Sequence, residues 1–204
     1  MTMELRWHGL PPEIAPDTVL PSGLHLLLDE ADSAARVLLA ALAGSAPLPP
    51  GAGIICAGHA AGTAGYAAQV CAAPLPGYDP QQAVQAWLAE QPQRWPAWDA
   101  AAWQQHVDGF ALAPHLGKAW WQLSTGTQRK CWLAAALASG AALTLIAEPV
   151  AGLDKASITY LEQALDALAD GLAEQGTLRW VLVAHHDTLA EVQWDEVVEL
   201  PVAF

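Results

Sequence analysis

The sequence predicts an α/β domain built around a mainly parallel sheet, and three observations support this prediction. The chain has 204 residues, enough for one domain that spans residues 1–204. Hydrophobic residues make up 53% of the composition, so a sizeable core can form. In the second half, short apolar runs alternate with longer helical patterns, as expected for parallel strands covered by helices on both faces.

The N-terminal part of the chain is rich in strand patterns. Residues 4–28 contain apolar runs broken by Pro and Gly turns, and GLHLLLDE (23–30) predicts a buried strand. GIICAGHAAGTAGYAAQ (53–69) predicts two short strands around a Gly-containing turn. We therefore expect a small β-rich part to precede the main alternation of strands and helices.

One helix is predicted between these strand patterns. DSAARVLLAALAG (32–44) has helical periodicity, with Asp32 or Ser33 as its N-cap and Gly44 at its end. Because it directly follows the strand predicted at residues 23–30, the pair forms a strand–loop–helix unit.

Residues 78–122 predict a helical subdomain inserted into the α/β domain. Seven of the ten tryptophans lie between Trp87 and Trp132. Tryptophan is more often a core residue than a ligand contact, because its ring fills volume and its N–H needs only one partner. The alternative, that some of these rings face a partner protein, stays open at this point.

The last third of the chain shows the alternation most clearly. The predicted order is helix, strand, long helix and strand, at residues 127–140, 142–148, 157–176 and 178–185, and the chain closes with EVVELPVAF (196–204). This order predicts strands that are buried on both faces of the sheet.

Composition excludes several classes of partner. Lys and Arg number 8 against 21 Asp and Glu, which gives a formal charge of -13. Such a surface repels nucleic acid and anionic membranes, whose binding depends on basic residues. The sequence contains no apolar run of the roughly 20 residues that a membrane span needs, and MTMELRWHGL shows no secretory signal pattern. We expect no direct membrane insertion, so any membrane association would go through a protein partner.

The cysteines indicate a reducing compartment. Cys56, Cys71 and Cys131 are scattered, odd in number and outside any CxxC or His-paired metal spacing. We therefore expect them to be buried small hydrophobic residues in a cytosolic protein.

Four segments in the second half of the chain follow one another in an order and at a spacing that together form a recognisable pattern. LSTGTQRK (123–130) is followed by LTLIAEP (143–149), AGLD (151–154) and VLVAHHD (181–187). This block resembles the nucleotide-binding domain of ABC transporters, whose signature commonly reads LSGGQQR. The resemblance covers nearly the whole chain and implies a P-loop NTPase-like fold.

Individual positions match that family unevenly. In the signature, Ser124 and Gly126 match, whereas Thr125 and Thr127 depart. In the first half, YAAQ, ending at Gln69, resembles the loop whose glutamine senses the nucleotide. LLAALAGSAPLPPGAG (38–53) resembles the helix and turn that follow the phosphate loop, and WDEVVEL (194–200) the last strand.

The resemblance implies a role for each matching residue. Glu148 would polarise the attacking water, and His185 would contact the terminal phosphate. Ser124, Gly126, Gln69 and Asp154 would be nucleotide-binding positions. Taken singly, Ser124 and Asp154 are better explained as helix caps or turn residues, and His185 as a partly buried polar side chain. Only the joint pattern favours the functional roles.

The phosphate loop departs from the family completely. The string G-x-x-x-x-G-K-[ST], whose amides and Lys hold phosphates and whose hydroxyl binds Mg²⁺, does not occur in the sequence. Alignment places Asp29 and Asp32 at glycine positions, Ala35 at the Lys and Arg36 at the hydroxyl. Arg36 is thus the degenerate phosphate-loop position, which we expect to pair with Asp32 across one helical turn.

The Walker B motif is degenerate as well. Ala147 stands where the family carries a metal-binding Asp, immediately before Glu148. In the phosphate loop, Asp29, Glu30 and Asp32 would place negative charges where a triphosphate lies. Like charges a few ångströms apart repel by about 1 to 4 kcal/mol per pair near a surface. The sequence therefore predicts weak or absent ATP hydrolysis and no cofactor in this chain's own site. We predict no metal-binding residue.

Three functions remain open. The first is a degenerate ABC-type ATP-binding subunit that partners a homologous cassette, in a homodimer or heterodimer, or a membrane permease, with ATP and Mg²⁺ held in trans by the partner. The second is a stand-alone pseudo-ATPase that serves as an interaction or regulatory module. The third, an active ATPase with an unconventional phosphate grip, fits the acidic loop worst. The resemblance implies a cytoplasmic protein or one held at the inner membrane through a permease.

Overall fold

The computed structural model describes residues 4–31, 33–74 and 78–202, which form an α/β fold. In chain order, the strands are β1 (Leu5–His8), β2 (Thr18–Leu20), β3 (Gly23–Leu28), β4 (Gly53–Cys56), β5 (His59–Ala60), β6 (Val70–Ala73), β7 (Leu143–Ala147), β8 (Trp180–His185) and β9 (Glu196–Glu199). The helices are α1 (Ala34–Leu42), α2 (Ala64–Ala67), α3 (Val84–Leu88), α4 (Gln91–Arg94), α5 (Ala100–Gly109), α6 (Thr125–Ala138) and α7 (Lys155–Gln175).

The central sheet has the order β6-β7-β8-β3-β9, and every neighbouring pair in it is parallel. The strand predicted at residues 142–148 is β7, which lies between β6 and β8. Parallel neighbours that are distant in sequence require crossover connections, and helices supply most of them. The predicted fold class is confirmed.

A second, antiparallel sheet has the order β2-β1-β4-β5. In β1 the side chains alternate between buried and exposed, so Leu5 and Trp7 face the core. The pairing Leu5↔Leu20 and Leu5↔Cys56 brings three buried side chains together across the strands. This sheet is the predicted β-rich part.

The central sheet is covered on both faces. Helix α1 and the antiparallel sheet cover one face of the central sheet. Leu38 and Leu42 of α1 belong to the same buried cluster as Leu27 of β3 and Leu182 of β8. On the other face, α6 and α7 pack in a cluster that contains Val181. Because neighbouring strand residues point to opposite faces, β8 is apolar and buried along nearly its whole length.

The segment 78–122 holds α3, α4 and α5, together with two short 3-10 helices. Its aromatic rings form part of the core: Trp120 is completely buried, with Trp87 edge-on to it at 5.1 Å between ring centroids. Trp132 on α6 stacks near Trp120 at 6.0 Å, which ties this segment to the α/β body. By contrast, Trp121 is exposed.

Helix starts follow their caps more closely than the sequence suggested. Helices α6 and α7 each begin two residues before the predicted start, since Ser124 and Asp154 act as N-caps. For α1 the N-cap is Ser33, whose side chain makes no capping hydrogen bond. The other predicted cap, Asp32, lies outside the described residues, as does its predicted pairing with Arg36.

Two elements were missed. The segment 53–69 contains the two predicted strands and also the short helix α2, which Thr63 caps. Strand β6 directly follows that segment and was not predicted at all.

The three cysteines are buried, as expected. Within the described ranges, every helix is too short or too polar to cross a membrane.

Candidate functional site

The ends of three parallel strands bring the main candidate residues to one edge of the central sheet. The Glu148 amide donates to the carbonyl of Ala184 at 3.0 Å, so Glu148 extends β7 beside the end of β8. The Asp29 amide donates to the carbonyl of His185 at 3.0 Å, which aligns the loop after β3 with the same edge. Glu148, His185 and the start of the 29–37 loop are therefore neighbours, as the sequence predicted.

Asp29 is the central residue of the loop that replaces the phosphate loop. Its side chain is 2% exposed, and its Oδ2 accepts a hydrogen bond from the Ala35 amide at 2.7 Å. Its Oδ1 accepts from the Ala31 amide at 3.1 Å. The first amides of a helix normally lack partners and attract anions. Here a carboxylate of the chain itself satisfies an amide at the start of α1.

The two acidic residues in the described part of this loop lie in different environments. Asp29 is buried and hydrogen-bonded, whereas Glu30 is exposed. Arg36, the degenerate phosphate-loop position, is exposed on α1. It lines an apolar cavity of about 290 Å³ between α1 and the ends of β6 and β7, together with Ala147 and Glu148.

The residues of this loop do not fit ATP–Mg²⁺ bound in the usual way. The Ala35 side chain is 2% exposed and carries no charge for a phosphate, and its amide is already bonded to Asp29. Arg36 supplies no hydroxyl for the metal, and Ala147 supplies no carboxylate. At the positions that the resemblance assigns to phosphate and metal binding, this chain therefore carries Ala35, Arg36 and Ala147.

Glu148, His185 and His186 form a compact cluster at this edge. Glu148 Oε2 lies 3.3 Å from His185 Nδ1 and 3.7 Å from His186 Nδ1. The two imidazole rings are 4.1 Å apart at an angle of 62°. Burial lowers the pKa of His185 below the ordinary histidine value, although the nearby Glu148 carboxylate opposes that shift. His186 was not among the residues singled out from the sequence.

The backbone of Glu148 is held in an uncommon conformation. Its φ is +46°, in the left-handed region that non-glycine residues rarely adopt. Arg129 on α6 donates through Nη1 to the Ala147 carbonyl at 3.1 Å, and also to the Glu148 carbonyl. Arg129 stands at the last position of the signature motif, and its partner could not be predicted from the sequence. It positions the turn that carries Glu148.

The signature residues form the start of α6. Ser124 Oγ accepts from the Thr127 amide at 3.1 Å, the capping role that the residue type alone favoured. Gly126 lies against the carbonyl oxygen of Gly152 so closely that a Cβ would collide with it. The missing side chain is therefore what allows the signature helix to contact the AGLD turn.

Asp154 links the same two elements electrostatically. Its Oδ1 accepts from the Ser157 amide at 2.9 Å and caps α7, while its Oδ2 accepts from Lys130 Nζ on α6 at 2.7 Å. The hydrogen bond from Lys130, followed by those from Ser157, holds the pKa of Asp154 well below its usual range. Asp154 thus lies beside the signature helix rather than beside Asp29.

Gln69 does not belong to this edge, which corrects its predicted placement. It precedes β6, and its carbonyl accepts from the amide of Leu143, the first residue of β7. Since β6 and β7 are parallel, Gln69 lies at the opposite edge of the sheet from Glu148. A four-residue strand spans about 13 Å, too far for Gln69 to sense a ligand beside Glu148. A residue that senses a ligand beside Glu148 would have to follow β6 instead of preceding it.

Comparison with known proteins places this geometry in context. No protein-family model matches the chain, and no curated protein matches its sequence. Among solved structures, an ATP-binding subunit of an ABC transporter matches with TM-score 0.74 and 18% identity, over 98% of this chain and 86% of that chain. An ABC transporter ATP-binding protein from Pyrococcus furiosus matches with TM-score 0.72 and 15% identity, over 97% of each chain.

A third match extends the comparison to a larger protein. A bacterial Atm1-family ABC exporter with ATP bound matches with TM-score 0.67 and 14% identity, over 97% of this chain and 37% of that chain. All of these identities are low, so they establish the fold and no more. The parallel sheet with its covering helices agrees with these matches: the chain has the fold of the ATP-binding subunits of ABC transporters.

Proposed function

We propose that this chain is an ABC-transporter-type ATP-binding subunit that is catalytically degenerate in its own site and acts as the partner of an active cassette or a membrane permease. The observation that carries the proposal is the buried carboxylate of Asp29 on the Ala35 amide. It takes the position at a helix N-terminus where anions bind in related folds. The proposed location is cytoplasmic, at the membrane only through a permease.

Electrostatics argues against a nucleotide in this loop. Two like charges 4 Å apart repel by about 4 kcal/mol at an effective dielectric constant of 20, which corresponds to roughly a thousandfold in affinity. A phosphate that approached α1 would meet the Asp29 carboxylate at such a distance. It would also lose the Ala35 amide, since that donor is already used.

The signature side of the molecule supports a role in trans. Ser124 is exposed at the start of α6, and the AGLD turn packs against Gly126. In such a pair, Ser124 would donate its hydroxyl to the terminal phosphate held by the partner. The amides at the start of α6 would stabilise the same oxygens, because helix N-termini favour anions. Glu148 and His185 would face this chain's own degenerate site.

The alternative function is a stand-alone pseudo-ATPase that serves as an interaction or regulatory module. The fold does not depend on a nucleotide, because its core consists of apolar packing on both faces of the sheet. The two functions differ in what they require of Ser124. A cassette partner needs an exposed hydroxyl there, whereas a separate module needs only the helix cap.

The first experiment is calorimetric titration of the isolated chain with ATP–Mg²⁺. We expect no binding at micromolar concentrations. Ala35→Lys alone should not restore binding, because Asp29 would still occupy the helix amide. Asp29→Gly combined with Ala35→Lys should increase affinity relative to either single variant. Micromolar binding by the unmodified chain would overturn the proposal, as would ATP hydrolysis that is lost in Glu148→Gln.

The second experiment tests the role in trans, in a reconstituted pair with an intact cassette. Ser124→Arg should abolish the ATPase activity that the pair gains over the isolated partner. Thr177→Arg adds the same side chain before β8, at the opposite edge of the sheet, and should leave that activity unchanged. Equal activity in both variants would favour the stand-alone module.

A further inference from the structure

Glu148, His185 and His186 bring one carboxylate and two imidazoles within ion-pair distance at the ends of β7 and β8. Although Glu148 Oε2 and His185 Nδ1 are 3.3 Å apart, the contact does not meet hydrogen-bond geometry. His185 is 3% exposed, and its Nδ1 is a buried polar atom without a hydrogen-bond partner among the described residues. Leaving such a buried atom unpaired is unfavourable, so a ligand at this point would stabilise the site.

We propose that these three side chains bind a divalent transition-metal ion of the Zn²⁺ type, through Glu148 Oε2 and the Nδ1 atoms of His185 and His186. One ligand atom from each residue lies within 4.8 Å of the others. Zinc binds nitrogen and oxygen at about 2.0 to 2.2 Å, so two ligands of a tetrahedral ion are roughly 3.4 Å apart. The observed separations of 3.3 and 3.7 Å from the carboxylate oxygen are close to that value.

The donor set selects the class of metal. Two imidazoles and one carboxylate suit Zn²⁺ and its first-row neighbours, whereas Mg²⁺ and Ca²⁺ prefer oxygen ligands. Three protein ligands leave a fourth position for water, as in zinc sites with an open position. The side chain of His186 is 59% exposed and that of Glu148 is 30% exposed, so an ion can reach the cluster from solvent.

The surroundings hold the ligands in place. Arg129 donates to the backbone carbonyl of Glu148 rather than to its carboxylate, which leaves the carboxylate oriented toward the histidines. The Glu148 amide bonds to Ala184 on β8, and the His185 carbonyl accepts from Asp29. The formal charge of -13 attracts cations to the protein. The site lies beside the degenerate phosphate loop but uses none of its residues as a metal ligand.

The test is titration of chelator-treated, tag-free protein with Zn²⁺, together with the visible absorption of added Co²⁺. We expect one equivalent of Zn²⁺ and a Co²⁺ spectrum of nitrogen and oxygen ligands. His186→Ala, which removes an exposed side chain, should weaken binding at least tenfold without lowering Tm in metal-free buffer. His59→Ala removes another exposed histidine, on β5, and should change affinity less than twofold.

Three results would overturn the inference. One is equal Zn²⁺ affinity in the unmodified chain and His186→Ala. Another is a loss in His59→Ala as large as that in His186→Ala. The third is a Co²⁺ thiolate charge-transfer band, which would place the ion at the cysteines. Neither nucleotide nor partner is present in this experiment, so its outcome is independent of the proposed function.

Discussion

The loop before α1 and the turn before α6 both lead into a helix N-terminus, but they satisfy it in opposite ways. Before α1, the buried Asp29 binds the helix amide from the end of the preceding strand. Before α6, the exposed Ser124 caps its own helix with a hydroxyl, and Gly126 keeps a side chain out of a close backbone contact. One helix start is closed to an external anion, and the other presents an exposed polar group.

This difference shows that a helix start can be stabilised with or without a group that binds a ligand. A helix N-terminus needs an acceptor for its amides, and a carboxylate of the chain serves as well as a phosphate. The loop before α1 can therefore keep its strand–helix geometry without an anion from outside the chain. The turn before α6 keeps its glycine because the contact with Gly152 requires it, with or without a nucleotide.

The largest expected effect comes from removing the internal anion. Asp29→Ala leaves the buried Ala35 amide without its acceptor and should lower the free energy of unfolding by about 2 to 3 kcal/mol. Asp29→Asn retains one acceptor oxygen and should lower it by less. Glu30→Ala is the control, because Glu30 is exposed and should have little effect. Urea denaturation measures all three. Equal stability of Asp29→Ala and Glu30→Ala would break the comparison.

An intermediate effect on stability is expected at Gly126, in the first turn of α6. Ala is favoured over Gly within a helix by about 1 kcal/mol, but at Gly126 a Cβ meets the Gly152 carbonyl. We expect Gly126→Ala to lower the free energy of unfolding by about 1 to 2 kcal/mol, as overpacking does.

Gly171→Ala in α7 is the matched control, because a Cβ there meets nothing within 4 Å. It should raise the free energy of unfolding by roughly 1 kcal/mol. Thermal denaturation of both variants gives the sign. If Gly126→Ala were also stabilised, the close contact between the signature helix and the AGLD turn would be contradicted.

The smallest effect should come from the exposed cap. Ser124→Ala removes the acceptor for the Thr127 amide and should lower the free energy of unfolding by about 1 kcal/mol or less. Ser124→Asp retains an acceptor and should restore most of that stability. Chemical denaturation at equal protein concentration measures the series. A loss larger than that of Asp29→Ala would show that Ser124, and not Asp29, dominates the stability of this edge.

The sequence predicted most of the main-sheet elements because their signals are local. Apolar runs such as WVLVA (180–184) and capping residue types such as Asp154 can be read directly from the sequence. Strand β6 was missed because VCAA is short, lacks the usual pattern of β-branched residues and is followed by Pro. That omission also misplaced Gln69, since the glutamine was assigned to a loop without knowledge of the strand that follows it.

The candidate site was predictable in position but not in chemistry. The ends of β7 and β8 identify Glu148 and His185 because parallel strands deliver their carboxyl ends to one edge. The resemblance also assigned Asp29 to a glycine position of the phosphate loop. It could not show that this carboxylate turns inward to bind a helix amide, nor that Arg129 reaches the Glu148 turn. Both depend on contacts between elements far apart in the chain.

The inward carboxylate of Asp29 also affects how the chain could change over evolutionary time. Any single substitution that reopens the start of α1 to an outside anion first removes the group that stabilises that helix. The resulting variant is less stable before it gains any ligand, so selection for stability opposes that first substitution. Engineering a nucleotide site here consequently requires several simultaneous changes, including a glycine-rich loop and a lysine. The contribution of Asp29 to the stability of the fold therefore makes its substitution unfavourable.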